Sequence, residues 1–198
     1  MSDNSYHHGN LKNALIEAGI EMVNEMGCKN LSLRRVAAKC GVSNAAPYAH
    51  FSCKEEMIQA MQDYVTEKFM RRLKETIESM DDPYTEEGIL RFGECYVCFF
   101  LENPNYFMFL FYQNPDSVPC MKVQLSLEED QSGNFPPYEY FKEFMLQYNK
   151  RNGTILSVQE QEIQIIKLWV TVHGISSIAT MKNVTWNESW KDKLKLLL

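Results

Sequence analysis

Residues 33–51 read LRRVAAKCGVSNAAPYAHF, and this stretch decides the fold. Its first half predicts a short helix whose apolar face, at spacings of i, i+3, i+4 and i+7, consists of Leu33, Val36, Ala37 and Cys40. Gly41 ends that helix, because glycine tolerates the positive φ of a helix terminus. Ser43 can cap a second short helix that continues to about Phe51. A longer helix precedes both and ends near Gly27.

Two short helices joined by a glycine-containing turn, behind a longer helix, have the geometry of a DNA-binding helix-turn-helix. The second helix must keep its outer side free, and Val42 and Phe51 are expected to pack inward at its two ends. The side chains on or near its outer side are Asn44, Ala45, Tyr48 and Ala49. Small residues allow a close approach to base edges, asparagine can pair with adenine, and alanine can touch the thymine methyl group. Tyr48, His50 and Lys54 suit phosphate contacts, which fix the register without reading the sequence.

The distribution of charge agrees with this prediction. The chain has a formal net charge of −6, so it is not expected to bind nucleic acid through its whole surface. The segment from Met26 to Lys54 nevertheless holds five of the 20 Lys and Arg residues and none of the 26 Asp and Glu residues. A basic segment on an acidic body indicates one surface suited to phosphates. On pattern alone, a chance run of basic residues and an ordinary helical bundle are the alternatives.

A set of positions between Leu31 and Glu56 also carries a family resemblance. They are Ala37, Gly41-Val42-Ser43, Tyr48, His50-Phe51 and Lys54-Glu55. At these positions the chain closely resembles the TetR/AcrR family of bacterial regulators. One branch of that family resembles the chain further, at Tyr6-His7-His8-Gly9-Asn10-Leu11, at Ala46-Pro47-Tyr48, and in a C-terminal Trp-x3-His-Gly motif matched by Trp169, His173 and Gly174. The strong match covers residues 6–60, and the C-terminal motif is a short second signal.

The resemblance implies a nine-helix, Ω-shaped dimer that represses transcription and leaves its operator when a small molecule binds. It implies base-facing roles for Arg34, Asn44, Ala45 and Ala46. It implies phosphate-facing roles for Tyr48, His50 and Lys54, and the predicted DNA-binding set also includes Ser43 and Ala49. Ala49 departs from the family pattern, in which this position commonly carries a larger or basic residue, so one DNA contact is in doubt.

The rest of the chain is also predicted to be helical. Capping-box pairs at Ser52/Glu55, Ser157/Glu160 and Thr185/Glu188 open three helices. The first of these helices carries an apolar stripe of Ile58, Met61, Val65, Phe69 and Ile77 and ends at Asp82-Pro83. Further helices are predicted over residues 86–102, 105–113, 138–152, 157–182 and from 185 onward, with a loop over 116–137.

The predicted fold class is all-α, with an N-terminal helix-turn-helix three-helix unit and a C-terminal helical bundle, about nine helices in total. We expect a helix-turn-helix DNA-binding domain over residues 1–53, a connecting helix over residues 54–82, and an effector-binding and dimerisation domain over residues 83–198. The helix from Ser157 is apolar nearly all round, so we expect it to be buried on two faces, one of them against a second copy of the chain. The final helix, with Trp186, Trp190, Leu194 and Leu197 along one side, could complete that interface.

The C-terminal part is rich in aromatic residues that could line an effector cavity. The candidates are Phe92, Tyr96, Phe99, Phe109, Tyr112, Trp169 and His173. They would suit an apolar or aromatic small molecule. The alternative is that they are plain core residues, and that His173 is a hydrogen-bonded structural residue.

Six cysteines lie at positions 28, 40, 53, 95, 98 and 120. The N-terminal residues lack the apolar segment of a signal peptide, so we expect a cytoplasmic protein with reduced thiols and no membrane span. Cys95-x2-Cys98 raises the alternative of a thiol- or metal-responsive regulator of the same fold. A zinc site needs four ligands and no second pair exists, so two buried small apolar residues are the favoured interpretation.

An enzyme on a helical scaffold is a more remote alternative. The sequence has no glycine-rich phosphate loop, no nucleophile elbow, and no His-x3-His or Glu-x2-His pattern. We therefore expect no catalytic residues, no metal and no cofactor. The expected partners are double-stranded operator DNA, a small-molecule effector of unknown identity and a second copy of the chain.

Overall fold

The computed structural model describes residues 4–113, 125, 135–181, 183–184 and 189–198, and regular structure in these ranges is helical throughout. The described residues contain eight α-helices: α1 (Asn4–Met26), α2 (Leu33–Lys39), α3 (Lys54–Glu78), α4 (Glu86–Glu102), α5 (Pro104–Phe111), α6 (Pro136–Arg151), α7 (Val158–Ala179) and α8 (Trp190–Leu197). Two short 3-10 helices lie at Cys28–Asn30 and Ala46–Ala49. The predicted all-α fold class is confirmed. None of the described helices is long and apolar enough to cross a membrane.

The chain forms two compact units. The first comprises Met1–Glu67 and Met108–Val118, and the second comprises Lys68–Phe107 and Pro119–Leu198. Helix α3 contributes its first part to one unit and its second part to the other. The domain boundaries predicted at residues 53 and 82 are functional divisions, and they stay a prediction.

The first unit has an apolar core shared by α1, α2 and the start of α3. The α1 residues Leu15, Ile20 and Val23 are buried, as are Met57 and Met61 of α3. Gly19 of α1 allows the two helices to approach closely, because a Cβ atom at this position would lie 2.7 Å from Met57 Cε and 3.0 Å from Met61 Sδ.

The predicted apolar stripe of α3 is confirmed for Ile58, Met61, Val65, Phe69 and Ile77, all of which are buried.

The second unit is built around a cluster of aromatic rings. Phe69 of α3 packs against Tyr96 and Phe100 of α4 at ring-centroid distances of 5.2 Å and 4.9 Å. Trp169 of α7 contacts Tyr96 at 5.1 Å and Tyr138 of α6 at 4.9 Å, both edge to face. Buried aromatic pairs in these geometries stabilise a core beyond their area burial alone.

The predicted start of α7 is confirmed in detail. Ser157 Oγ accepts a hydrogen bond from the Glu160 backbone N–H at 3.3 Å, and the Glu160 carboxylate accepts one from the Ser157 backbone N–H at 2.8 Å. This reciprocal pair satisfies two N–H groups that the helix cannot satisfy internally. The helix ends at Ala179, a few residues before the predicted end at about Lys182.

Two predictions about helix ends are wrong. The capping box at Ser52/Glu55 does not form, because the Ser52 backbone N–H donates to the Glu56 carboxylate at 2.6 Å, while Cys53 Sγ accepts from the Glu56 N–H at 3.5 Å. The loop predicted to reach Pro137 ends earlier, because Pro136 and Pro137 form the first turn of α6. Proline is tolerated there because first-turn N–H groups lack helical acceptors. Most of the predicted loop, the Thr185/Glu188 capping box and Trp186 lie outside the described residues.

Candidate nucleic-acid interface

Helix α2 and the turn after it form as the sequence predicts. Ser32 caps α2 by accepting a hydrogen bond from the Arg35 backbone N–H at 3.3 Å. Leu33, Val36 and Ala37 are buried, whereas Cys40 is half-buried, with its thiol 3.6 Å from the Ala14 carbonyl oxygen as donor. The chain then turns at Gly41, which has a φ of 68°. The positive φ explains why a residue without Cβ lies at this turn.

The second short helix differs from the prediction. A continuous helix capped by Ser43 was expected to reach about Phe51, but the structure has a turn followed by a 3-10 helix over Ala46–Ala49 without a side-chain cap. Two of its backbone hydrogen bonds join residues three apart, from Tyr48 N–H to Ala45 O at 3.1 Å and from His50 N–H to Pro47 O at 2.9 Å. The Phe51 N–H donates to the same Pro47 oxygen at 2.9 Å, four residues back. Pro47 has no N–H to donate to the Ser43 carbonyl, and this carbonyl accepts from Ala46 N–H at 3.0 Å. The α-helical pattern is therefore interrupted where it would have to begin.

This segment nevertheless presents most of the predicted DNA-binding residues to the surface. Pro47 and Phe51 are buried and anchor it, while Val42, predicted to pack inward, is only half-buried. The exposed residues of the predicted set are Arg34, Ser43, Asn44, Ala45, Tyr48 and Ala49, and the partly buried ones are Ala46, His50 and Lys54. Tyr48 is 52% exposed, so its ring and hydroxyl are accessible to a binding partner.

The five cations of the basic segment are not equally available. Lys39 Nζ lies 3.1 Å from a carboxylate oxygen of Glu21 and 3.4 Å from one of Glu25, both on α1. The hydrogen bond to Glu21 raises the pKa of Lys39 above its usual value. Lys54 Nζ instead donates to the backbone oxygen of Lys29 at 3.4 Å, a neutral acceptor that leaves its positive charge uncompensated. The sequence could not show this difference, because the pairing of Lys39 depends on how α1 and α2 pack.

The second unit contains a cavity of about 180 Å³ between α4, α6, α7 and the end of α8. Three of the seven predicted effector residues line it, namely Phe92, Tyr96 and Trp169. His173 lies next to this group without lining the cavity, with its Nδ1 atom 3.0 Å from the Tyr96 hydroxyl. Burial lowers the pKa of His173, which favours the neutral imidazole.

The other predicted effector residues are not among those that line this cavity. Phe99 stacks on Phe69 at a centroid distance of 4.9 Å, and Phe109 is fully buried. Tyr112 is 50% exposed. Phe109 and Tyr112 belong to the first unit rather than the second.

Sequence reasoning missed several residues that do line the cavity. Gly93 and Phe141 were not singled out, and Leu197 and Leu198 were considered only as part of a helix interface or not at all. Gly93 lies three residues before Tyr96, so the two share one face of α4, and this spacing is the signal that could have identified Gly93.

The two cysteines of the Cys95-x2-Cys98 pair differ in exposure, since Cys95 is buried and Cys98 is half-buried. Cys95 is buried and accepts a hydrogen bond from the Thr76 hydroxyl at 3.3 Å, and burial raises the pKa of its thiol, which favours the protonated form. Within the described ranges, no three His, Cys, Asp or Glu side chains are grouped so that they could hold a metal ion.

Comparison with known proteins identifies the first unit. Residues 15–61 match the family model of the bacterial regulatory proteins of the tetR family. The matched range contains α2, the Gly41 turn and the 3-10 helix described above. The chain carries a TetR-family N-terminal domain. No curated protein sequence is similar enough to the whole chain to count as a match.

Solved structures extend the likeness to a TetR-like fold for nearly the whole chain. The fatty acid degradation regulator FadR from Bacillus halodurans superposes with a TM-score of 0.70 at 14% identity, covering 94% of this chain and 91% of that one. FadR from Bacillus subtilis, solved in complex with stearoyl-CoA, superposes with a TM-score of 0.68 at 14% identity, covering 93% of this chain and 94% of that one. The TetR-family regulator PfmR from Thermus thermophilus superposes with a TM-score of 0.64 at 16% identity, covering 92% of this chain and 93% of that one. At such identities the likeness concerns the fold: an N-terminal helix-turn-helix followed by a C-terminal helical domain.

Proposed function

We propose that this chain is a transcriptional regulator, most simply a repressor, that binds operator DNA as a homodimer and is released by a small-molecule effector. The observation that carries the proposal is the exposed surface of residues 34–54 within a TetR-family N-terminal domain. In this proposal residues 1–53 form the DNA-binding domain, and residues 54–82 connect it to the remainder of the chain. Residues 83–198 bind the effector and a second copy of the chain.

The side chains on that surface suit two kinds of DNA contact. Asn44, Ala45 and Ala46, with Arg34 from α2, would face base edges, where an amide can pair with adenine and a guanidinium with guanine. Tyr48, His50 and Lys54 would face phosphates and fix the register. The 3-10 helix is short, so the region that enters the groove consists of small side chains flanked by larger polar ones.

An exposed apolar stripe on α7 supports the homodimer. Ile163, Val170 and Ile178 are all more than 40% exposed and lie about two helical turns apart along the helix. The buried residues of α7 are Ile165, Trp169, Val172 and Ser176. An exposed apolar stripe at helical spacing is expected to pack against another helix. A second copy of the same stripe, related by two-fold symmetry, would cover it.

The effector role is proposed for the second unit, because its cavity is lined by aromatic and aliphatic side chains. Trp169, His173 and Gly174 would place the chain in the branch with the C-terminal Trp-x3-His-Gly motif. The similarity to a protein solved with stearoyl-CoA supports small-molecule control in general.

The direct test is fluorescence anisotropy with labelled duplex DNA taken from upstream of the chain's own gene. Tyr48→Ala is expected to weaken binding to all duplex sequences, because a register-fixing contact is lost. Tyr112→Ala is the matched control, because Tyr112 has nearly the same exposure (50% against 52%) but lies outside residues 33–54. Equal affinities for the two variants, or no affinity of the wild-type chain for any duplex, would overturn the proposal.

The dimer is tested on the same DNA. A two-fold symmetric protein requires half-sites separated by a whole number of helical turns, about 34–36 Å or a multiple. Inserting half a turn between the half-sites is therefore expected to reduce affinity, whereas inserting a full turn is expected to reduce it less. Unchanged affinity after the half-turn insertion would exclude binding as a symmetric dimer.

A further inference from the structure

The cavity of the second unit is apolar and uncharged. Its described lining residues are Ile89, Leu90, Phe92, Gly93, Tyr96, Phe141, Leu168, Trp169, Thr171, Val172, Leu197 and Leu198. Among these described residues there is no Lys, Arg, His, Asp or Glu side chain. An ionised ligand group would therefore lose its hydration without gaining a countercharge, which strongly disfavours its entry.

Two buried hydrogen-bond donors on neighbouring rings lack acceptors, and one of them belongs to Trp169, which lines this cavity. Trp169 lines the cavity, is only 2% exposed, and its Nε1–H has no hydrogen-bond acceptor among the described residues. The hydroxyl of Tyr138, whose ring contacts the Trp169 ring at 4.9 Å, is also buried and unpaired. Burial raises the pKa of Tyr138 to about 12, so its hydroxyl keeps its proton and remains a donor. Buried donors without acceptors are rare and unfavourable, and a ligand that brings an acceptor relieves them.

The size of the cavity limits the ligand. A dry cavity of about 150 Å³, engineered in another protein, binds benzene. The cavity here measures about 180 Å³, which suits one ring with a short substituent. Gly93 contributes to this space, because a Cβ atom there would lie 3.0 Å from Leu198 Cδ1 and 3.3 Å from Val172 Cγ1. A long acyl chain bearing a coenzyme A group does not fit such a volume.

We propose that this cavity binds a small neutral ligand, one aromatic ring or a compact aliphatic body carrying a single carbonyl group, whose oxygen accepts a hydrogen bond from Trp169 Nε1–H. This inference rests on the proposed effector role of the second unit and names the chemical class of the effector. It differs from the thioester-linked coenzyme A ligand found in the similar Bacillus subtilis structure.

Three probes of equal size test the proposal by isothermal titration calorimetry on the full chain without DNA. Acetophenone has a ring and a carbonyl, isopropylbenzene has the same shape without an acceptor, and benzoate is an anion. Acetophenone is expected to bind, and benzoate is expected to bind at least about tenfold more weakly. Isopropylbenzene brings no acceptor, so its affinity is expected not to depend on the Trp169 Nε1–H, whereas that of acetophenone is.

Trp169→Phe separates the hydrogen bond from the packing, because it removes the Nε1–H and keeps an aromatic ring. The affinity for acetophenone is expected to fall about two- to tenfold, whereas that for isopropylbenzene changes little. Trp190→Phe is the matched control, since Trp190 on α8 is not among the lining residues. Val172→Phe is expected to fill the cavity and to abolish binding of both acetophenone and isopropylbenzene. Gly93→Ala narrows the cavity more mildly and serves if Val172→Phe does not fold, as judged by circular dichroism.

Each result decides the ligand class independently of DNA binding. No binding of acetophenone, an equal effect of Trp169→Phe on the affinities for acetophenone and isopropylbenzene, tighter binding of benzoate, or displacement of acetophenone by stearoyl-CoA would overturn the inference. Acetophenone binding lost in the cavity variants supports it. Acetophenone binding without any weakening of the complex with DNA would leave the ligand class supported and contradict the effector role, so the two failures are distinguishable.

Discussion

Replacing Lys54 with alanine is expected to reduce the salt dependence of DNA binding, whereas replacing Lys39 is not, although the two lysines belong to the same basic segment. Lys39 Nζ lies 3.1 Å and 3.4 Å from the carboxylates of Glu21 and Glu25, so its charge is already compensated within the protein. Lys54 Nζ is bound only to the neutral Lys29 carbonyl in the described contacts, at 3.4 Å. A phosphate contact releases counterions, and each contact contributes about 0.9 to the slope of log K against log salt.

The expected magnitudes follow from that difference. Lys54→Ala removes one phosphate contact in each chain, so the slope is expected to fall by about 0.9 per chain and about 1.8 for a dimer. Lys39→Ala leaves Glu21 and Glu25 unpaired, so affinity at low salt is expected to drop slightly through repulsion, but the slope is expected to change by less than half of that amount.

The measurement is anisotropy of labelled operator DNA at several KCl concentrations, with each variant checked for folding by thermal unfolding. Equal slope changes for the two variants would show that Lys39 contacts phosphate in the complex and that its ion pairs with α1 break on binding. An unchanged slope for Lys54→Ala would remove Lys54 from the set of phosphate contacts.

Three further predictions concern stability. Ser157→Ala is expected to lower the free energy of unfolding by about 1 kcal/mol, because the Glu160 backbone N–H loses its Oγ acceptor, although the residue 157 N–H can still donate to Glu160. Ser189→Ala, at a helix start without a side-chain cap bond, should cost only a few tenths of a kcal/mol, and equal shifts in urea unfolding would contradict this. Gly41→Ala is expected to lower the free energy of unfolding by about 1 kcal/mol, because a φ of 68° strains any residue with a Cβ atom. An unchanged urea midpoint would show that the turn adapts to the substitution. Burial lowers the pKa of His173 below the unfolded value of 6.5, so the unfolded chain binds more protons as pH falls below 6.5, and stability is lost there. His173→Phe should flatten the profile of stability between pH 6.5 and 5, and an equally steep profile would count against this assignment.

The features predicted successfully from sequence are those specified by neighbouring residues. The Ser157/Glu160 pair is sufficient to predict the start of α7, because both partners lie within one helical turn. Gly41 marks the end of α2 because few other residues adopt its φ. The stripe of α3 follows from its 3.6-residue period, because only one face of that helix can be buried against the core.

The features that could not be predicted depend on which of two nearby groups accepts a hydrogen bond, or on how distant helices pack together. Ser52 had two glutamates within reach, and Glu56 rather than Glu55 accepts its N–H. The second short helix was predicted to run from the Ser43 cap to about Phe51, but the missing N–H of Pro47 favours a 3-10 helix instead. The cavity required residues from α6 and α8 that no local pattern connects with α4, and so Phe141 and Leu198 were overlooked.

The pairing of Lys39 also bears on how an acidic chain could recognise DNA selectively. With a net charge of −6 and one of five cations in the basic segment already neutralised by α1, the proposed interface offers few free charges for non-specific attraction to phosphates. Non-specific affinity is supplied mainly by such charges, whereas discrimination between sequences comes from base contacts. Binding through this surface must therefore depend strongly on the small exposed residues around Asn44 and on Arg34. If the chain binds an operator as proposed, its affinity for random DNA is expected to be modest, because Lys39 contributes little charge there, and its residence on the operator is expected to depend on fit at the base edges.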